Sequence, residues 1–165
     1  PGFEARPDKS KKGLYFFKDH FFRFWFAFMF PYSADMEMGQ TEFVRTRIEE
    51  GFGRFIAPVF EEVCQETILK RRLFPVHRIG RHWDRHLEID VVARGEADLF
   101  FGECKWSDRP VGLDVLQQLK VKVASLDPKY LQGQAIHYGL FAKAGFKPEL
   151  QRVGAREGDL LMSWE

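Results

Sequence analysis

The sequence predicts a mixed α/β fold: a central sheet flanked by helices, with an aromatic helical segment ahead of it. Three observations predict it. Apolar runs of strand length alternate with longer stretches in which apolar residues recur every three or four positions. Their order is helix, three strands, helix, strand, short helix, strand. The 165 residues, 45% hydrophobic and 30% charged, are enough for one soluble domain with a proper core.

Residues 1–13, "PGFEARPDKSKKG", are polar and basic and read as a loop or tail. "LYFFKD" reads as a strand, and Asp19 as the cap of the helix that follows. That helix, "FFRFWFAFMF" over Phe21–Phe30, is apolar nearly all round. It is therefore expected to be buried, against this chain or against a neighbour. "FPYSADMEMG" is expected to break it, so residues 1–40 form one segment and 41–165 the main domain. From Thr41 a helical region runs to Lys70, with interruptions expected near Gly51, Gly53 and Pro58. Pro58 suits the first turn of a helix. The last part carries an apolar stripe of Phe60, Val63, Cys64 and Ile68.

"FPVHRIGRHW" and "HLEIDVVAR" read as two strands joined tightly at Asp84-Arg85. "ADLFFGECKWS" is the third, after a turn at Gly95-Glu96. "VGLDVLQQLKVKVASLD" is a helix with Leu113, Leu116, Leu119, Val123 and Leu126 on one side, ended by Asp127-Pro128. "AIHYGLFAKA" is a fourth strand, Pro148–Val153 a short helix and "DLLMSW" a final strand.

The net charge of +1 announces no nucleic-acid partner, so any such partner must be served by a local patch. The aromatic segment contains Arg23 and is about half the length that a bilayer span needs. No signal-peptide pattern is present, and a cytoplasmic location is expected. The first residue is Pro, from which a longer or processed protein is expected. Two cysteines, Cys64 and Cys104, make neither a disulfide framework nor a zinc site, and read as buried thiols in a reducing compartment.

The chemistry is concentrated in two strands. Side chains alternate along a strand, so Glu103 and Lys105 share one face, a costly arrangement for a core strand unless the charges are paired or bound. In the preceding strand Glu88 and Asp90 also share a face. If the two strands are neighbours, Asp90, Glu103 and Lys105 converge. Two carboxylates from adjacent strands make a hard oxygen site for Mg²⁺ or Mn²⁺, with the Cys104 carbonyl as a further ligand. Lys105 would then orient or deprotonate a water. On the helix before them, Glu61 is placed to reach the metal directly or through a water, and Glu62, roughly 100° further round, is the alternative.

Asp90, then "Glu103-Cys104-Lys105", with a helical Glu before and a helix after, resembles the PD-(D/E)xK nuclease superfamily over about Phe52 to Ala144. The resemblance implies the restriction-endonuclease-like αβββαβ core. It also implies that Asp90 and Glu103 hold the metal and that Lys105 assists the attacking water. The first motif position departs from Pro-Asp, being Ile89-Asp90 here, and keeps its ligand. A narrower resemblance covers nearly the whole chain. "GLYFFKDHFFRFWFAFMFP", "VFEEVCQE", "EIDVVAR", "FGECKWS" and "LFAKAGF" are similar to the C-terminal region of archaeal-type ATPases, the domain-of-unknown-function family 234. That resemblance implies an ATP-binding module and a winged helix ahead of a nuclease-like domain, "GLYFFKD" being the tail of the wing. It favours Glu61 over Glu62. No GxxxxGK[ST] loop occurs in these residues.

Around the site, Arg71, Arg72, Arg78, Arg81 and Arg85 lie in a locally basic stretch and are candidates for phosphate contacts, with a solvated basic face as the competing reading. Gln117, or its neighbour Gln118, is a candidate for positioning a water or a phosphate. "HWDRH" lacks the Glu of HExxH and sits in a hairpin, so it is not read as zinc-binding. Trp83 and Trp106 read as packing residues. The reading is a Mg²⁺- or Mn²⁺-dependent nuclease domain acting on DNA. Its competitors are an ion pair without metal at Asp90 and Glu103, and an inactive module that binds DNA or docks to its ATPase. Homodimerisation through the aromatic helix or a strand edge is a further expectation.

Overall fold

The computed structural model describes residues 17–84 and 87–164. The first half of "LYFFKD", Leu14–Phe16, and Arg85 in the expected tight connection lie outside them. Among the described residues the chain divides at Val59/Phe60 into two compact units, so the boundary expected at residue 40 falls inside the first.

The first unit begins with a short helix, α1 (His20–Phe24), whose Asp19 side chain accepts from the N–H groups of Phe21 and Phe22 at 2.8 and 3.2 Å. These are two of the donors a helix start leaves without partners, and Asp19 is the expected cap. Phe17–Asp19 are not a strand. The helical path continues through a π-type turn (Trp25–Met29), a 3₁₀ turn (Phe30–Tyr32) and α2 (Ser33–Glu37). "FPYSADMEMG" therefore continues the helical path past Phe30 as a 3₁₀ turn and α2 instead of breaking it there. Pro31 falls in the first turn of the 3₁₀ segment, where its missing N–H costs nothing. The path ends at Gly39, which has φ +76°.

The aromatic helix is not buried as expected. Phe28 is covered, but Phe17, Phe21, Phe22, Trp25, Phe26 and Phe30 are 38–65% exposed. One neighbour covers only one side of a helix. Here Phe24 and Phe28 pack on Phe55 at ring distances of 5.8 and 5.3 Å. The outward rings contact one another instead, Phe17 stacking on Phe26 at 5.1 Å.

The long helix α3 (Thr41–Arg71) is continuous, without the interruptions expected at Gly51, Gly53 and Pro58. Gly51 marks a close approach: a Cβ there would stand 2.7 Å from Cε1 of Phe28. Pro58 lies in the helix interior, not in a first turn. An interior proline of this kind costs about 3 kcal/mol.

The second unit is a five-stranded sheet in the order β1-β2-β3-β4-β5. The strands are β1 (Arg78–Trp83), β2 (Glu88–Arg94), β3 (Asp98–Lys105), β4 (Ala135–Ala142) and β5 (Leu160–Ser163). Pairs β1/β2 and β2/β3 are antiparallel, β3/β4 and β4/β5 parallel. The parallel steps are the ones crossed by helices, α4 (Leu113–Ala124) and α5 (Pro148–Glu157), because a parallel pair needs a long connection. The mixed α/β sheet and the αβββαβ order are as the sequence predicts.

Alternation along the strands divides the core. On one face Leu99, Phe101, Val92 and Leu140 pack with Leu116, Leu119 and Val123 of α4. On the other, Val91, Ala93, Phe100 and Phe141 pack with Phe60, Cys64 and Ile68 of α3. Val63 departs from the expected stripe and is 40% exposed. α4 ends at Ala124, ahead of Asp127-Pro128, and Leu126 is buried beyond it. No helix among the described residues is long and apolar enough to cross a membrane.

Candidate metal and catalytic site

β2 and β3 pair in a register that ends at Val91↔Gly102, so the next step places Asp90 opposite Glu103. On its other side β2 is irregular: Gly80 pairs with Val92 but His82 with Ile89. Arg81 thus faces two residues, Asp90 and Val91, which is a β-bulge. Such a bulge breaks the alternation and re-aims a side chain. Its effect is visible in the core, where Ile89 packs on the same face as Val92, three positions away. The Asp90 carboxylate turns toward β3, where Oδ2 accepts from the Cys104 N–H at 2.8 Å. It takes over the strand pairing just where the backbone ladder stops. The N–H and C=O of one strand residue point the same way, so the Cys104 carbonyl faces Asp90 too.

Glu103 is 7% exposed. Two ammonium groups make that burial tolerable. Lys105 Nζ lies 2.8 Å from Oε1 and Lys122 Nζ 2.8 Å from Oε2. Burial works against the charge on Lys105, but the hydrogen bond and charge of Glu103 outweigh it and hold the ammonium above its ordinary pKa. Asp90 is pushed above the usual carboxylate range by burial, then by the charge of Glu103, against the Cys104 N–H and both lysines. Glu61 on α3 is pushed up to about 7, first by burial and then by Asp90, with Arg81 opposing at 3.3 Å. Three carboxylates within electrostatic reach of one another, each desolvated, form a site that gains from a cation.

The donors suit a hard divalent ion: carboxylate oxygens from Asp90 and Glu103, and the backbone oxygen of Cys104. Among the described residues no three His, Cys, Asp or Glu side chains gather at ligating distance around one point. A cation here would therefore have two carboxylates, and Mg²⁺ bound by one or two carboxylates completes its shell with water and phosphate oxygens. Cys104 Sγ faces the opposite way, where a hydrogen bond with buried Cys64, and then burial itself, raise its pKa and keep the thiol protonated.

Other candidates fall at varying distances. Arg81 is engaged inside the acidic cluster, bridging Glu61 and Glu88. Arg78 stands opposite Arg94, four residues along β2 from Asp90, about 13 Å away at strand rise. Arg71 and Arg72 are exposed at the end of α3, ten or more residues beyond Glu61 and hence about 15 Å along the helix. Arg85 lies outside the described residues. Gln117 is exposed on α4 and five positions from Lys122, so the two do not share a face, whereas Gln118, four positions away, does. Trp106 packs on Phe60 at 5.2 Å, beneath Lys143.

Lys122 is the residue that sequence reasoning missed. It sits beside Leu119 and Val123 at the edge of the buried stripe of α4, and reaches from there to Glu103. The available signal was a lysine flanking an apolar stripe on the helix that follows the ExK strand.

A family model described as archaea bacterial proteins of unknown function, DUF234, matches residues 25–122. An uncharacterized protein of Methanocaldococcus jannaschii, MJECL04, is 35% identical over 107 residues, covering 61% of this chain and 24% of that protein. The chain thus spans about a quarter of that relative's length. Solved structures are similar over part of the chain. The protein of unknown function AF1548 covers 66% of this chain and 58% of its own, at 18% identity and a TM-score of 0.46. A repair endonuclease from Pyrococcus abyssi covers 61% and 44%, at 21% identity and a TM-score of 0.44. An EndoMS–dsDNA2 complex covers 61% and 42%, at 19% identity and a TM-score of 0.39.

Proposed function

The chain belongs to the DUF234 family, and from that premise we propose that its sheet unit is a Mg²⁺- or Mn²⁺-dependent nuclease hydrolysing phosphodiester bonds in DNA. The observation that supports this most is the meeting of Asp90 and Glu103 across adjacent strands, with Lys105 on Glu103 at 2.8 Å. Asp90, Glu103 and the Cys104 carbonyl would hold the cation. Such an ion stabilises charge on the scissile phosphate and lowers the pKa of a bound water.

The chain's own groups divide the remaining work. Lys105, whose ammonium Glu103 holds charged in the metal-free protein, serves as a donor beside the site. It orients the attacking water and faces the charge that grows on the phosphate. Glu61, whose pKa burial raises to about 7 in the metal-free protein, is the carboxylate suited to take the water's proton. Arg81 holds Glu61 in place, and Arg78 is offered to a more distant phosphate. Cleavage of supercoiled plasmid with Mg²⁺ or Mn²⁺ tests the reading. Lys105→Ala and Asp90→Asn should each lose about 100-fold or more in rate. Equal rates in wild type and Lys105→Ala defeat the mechanism.

A second reading rests on the exposed rings of the first unit: a non-cleaving module that docks to an ATP-binding part of the same protein, or to a second copy. Calorimetry separates the two. Mn²⁺ uptake by wild type but not by Asp90→Asn supports the nuclease, and uptake by neither supports the docking module. In both readings the setting is the cytoplasm.

A further inference from the structure

Both oxygens of Glu103 carry an ammonium group at 2.8 Å, from Lys105 on its own strand and from Lys122 on α4. A divalent ion on this carboxylate would stand within a few ångströms of both cations. At such separations like charges repel strongly even when partly solvated. Lys105 is tethered two residues from Glu103, whereas Lys122 arrives from another element on a long flexible stem. Its side chain is 31% exposed, against 10% for Glu103, so it lies between the buried carboxylate and solvent. A polyanion approaching the site would meet it there.

We propose that Lys122 is a phosphate-directed residue of this site. In the metal-free protein it neutralises Glu103; when a divalent cation takes that oxygen, its ammonium transfers to a non-bridging phosphate oxygen of the nucleic acid. The inference rests on the nuclease reading for its ligand. It differs from a fixed structural ion pair in one respect: Lys122 and the cation compete for Glu103, while Lys122 and the cation together favour the phosphate. Lysine, a compact charge on a mobile stem, suits this exchange, since phosphate needs no planar fork to be bound.

The test uses the 165-residue chain with Lys122→Gln, which keeps most of the stem and a hydrogen-bond donor, and Lys122→Arg, which keeps the charge. Mn²⁺ affinity is measured by calorimetry without nucleic acid. Affinity for a duplex oligonucleotide is then measured in Ca²⁺ across a salt series, with melting curves to confirm folding. Lys122→Gln should bind Mn²⁺ about fivefold more tightly, through loss of a competing charge. It should bind the duplex more weakly, with the logarithmic salt slope reduced by about one phosphate contact. Lys122→Arg should restore the slope. A salt slope in folded Lys122→Gln equal to that of wild type overturns the inference, and so does weaker Mn²⁺ binding. Failure of the nuclease reading is separately visible, because then wild type itself takes up no Mn²⁺ or binds no duplex.

Discussion

The two units treat their side chains in opposite ways. The sheet unit hides its largest rings, with Phe100, Phe101 and Phe141 fully buried, and places a buried charge, Glu103, at the site. Among its described residues the aromatic unit leaves eight rings 38–65% exposed, and Phe28 is its buried aromatic residue. A core that is already satisfied can afford a desolvated carboxylate, provided that neighbouring cations compensate it. A surface of unsatisfied rings has no such internal purpose, and is the kind of surface that partners cover.

The comparison breaks first on stability. Phe100 packs edge-to-face on Phe141 with ring centroids 6.2 Å apart, inside the α3-side core. Phe100→Ala should cost about 3–5 kcal/mol. Phe21→Ala, at a ring 65% exposed, should cost no more than about 0.5 kcal/mol. Urea unfolding of both variants checks this. A Phe21→Ala loss as large as that of Phe100→Ala would mean that the outward rings stabilise the chain itself, and the contrast between the units would fail.

The second prediction sharpens the account of the buried charges. Glu61 has a pKa of about 7 in the folded protein against an ordinary 4.5. The folded state therefore binds the proton more tightly than the unfolded one. The stabilisation from that proton is fully present below pH 4.5 and is lost as pH rises through about 7. Asp90 is shifted in the same direction and adds to the trend. Melting temperature should thus fall between those values, by an amount on the order of 2–3 kcal/mol in stability. Glu61→Gln should flatten the profile and raise stability at pH 8. Mn²⁺ at pH 8 should also raise the melting temperature of wild type, because it replaces the proton as the neutralising charge. A pH profile unchanged by Glu61→Gln would show that this carboxylate is not desolvated as described.

What could be read from the sequence follows the same division. Glu103 and Lys105 were legible because alternation along a strand is a strict geometric rule, and apolar flanks identified the strands; Asp90 was legible as a carboxylate on the neighbouring strand, but its aim is set by the bulge and not by alternation. The order of elements was legible for the same reason. The bulge at Asp90–Val91 was not, since one extra residue in a strand leaves no mark in its composition. Lys122 was not, because its partner is 19 residues away across a helix-on-sheet contact. In the first unit local rules misled. The aromatic run reads as a buried helix, yet exposure depends on how many neighbours a helix has, which its own residues do not encode. Gly51 and Pro58 read as breaks, yet both lie within one continuous helix.

Gly51 gives the smallest of these predictions and the one with opposing terms. In an exposed helix, Gly→Ala gains about 0.8–1.0 kcal/mol from backbone propensity. At Gly51 the added methyl would sit 2.7 Å from Cε1 and 3.3 Å from Cζ of Phe28. Phe28 cannot swing aside freely, because its ring is fixed between Phe24 at 5.2 Å and Phe55 at 5.3 Å. Overpacking of this kind costs about 1–3 kcal/mol, so Gly51→Ala should be net destabilising by up to about 2 kcal/mol. Gly53→Ala, where a Cβ meets nothing within 4 Å, should show the propensity gain alone. Thermal unfolding of the pair reads the difference. If Gly51→Ala stabilises as much as Gly53→Ala does, the Phe28 ring does not pack against α3, and the one covered side of the aromatic helix is exposed like the rest.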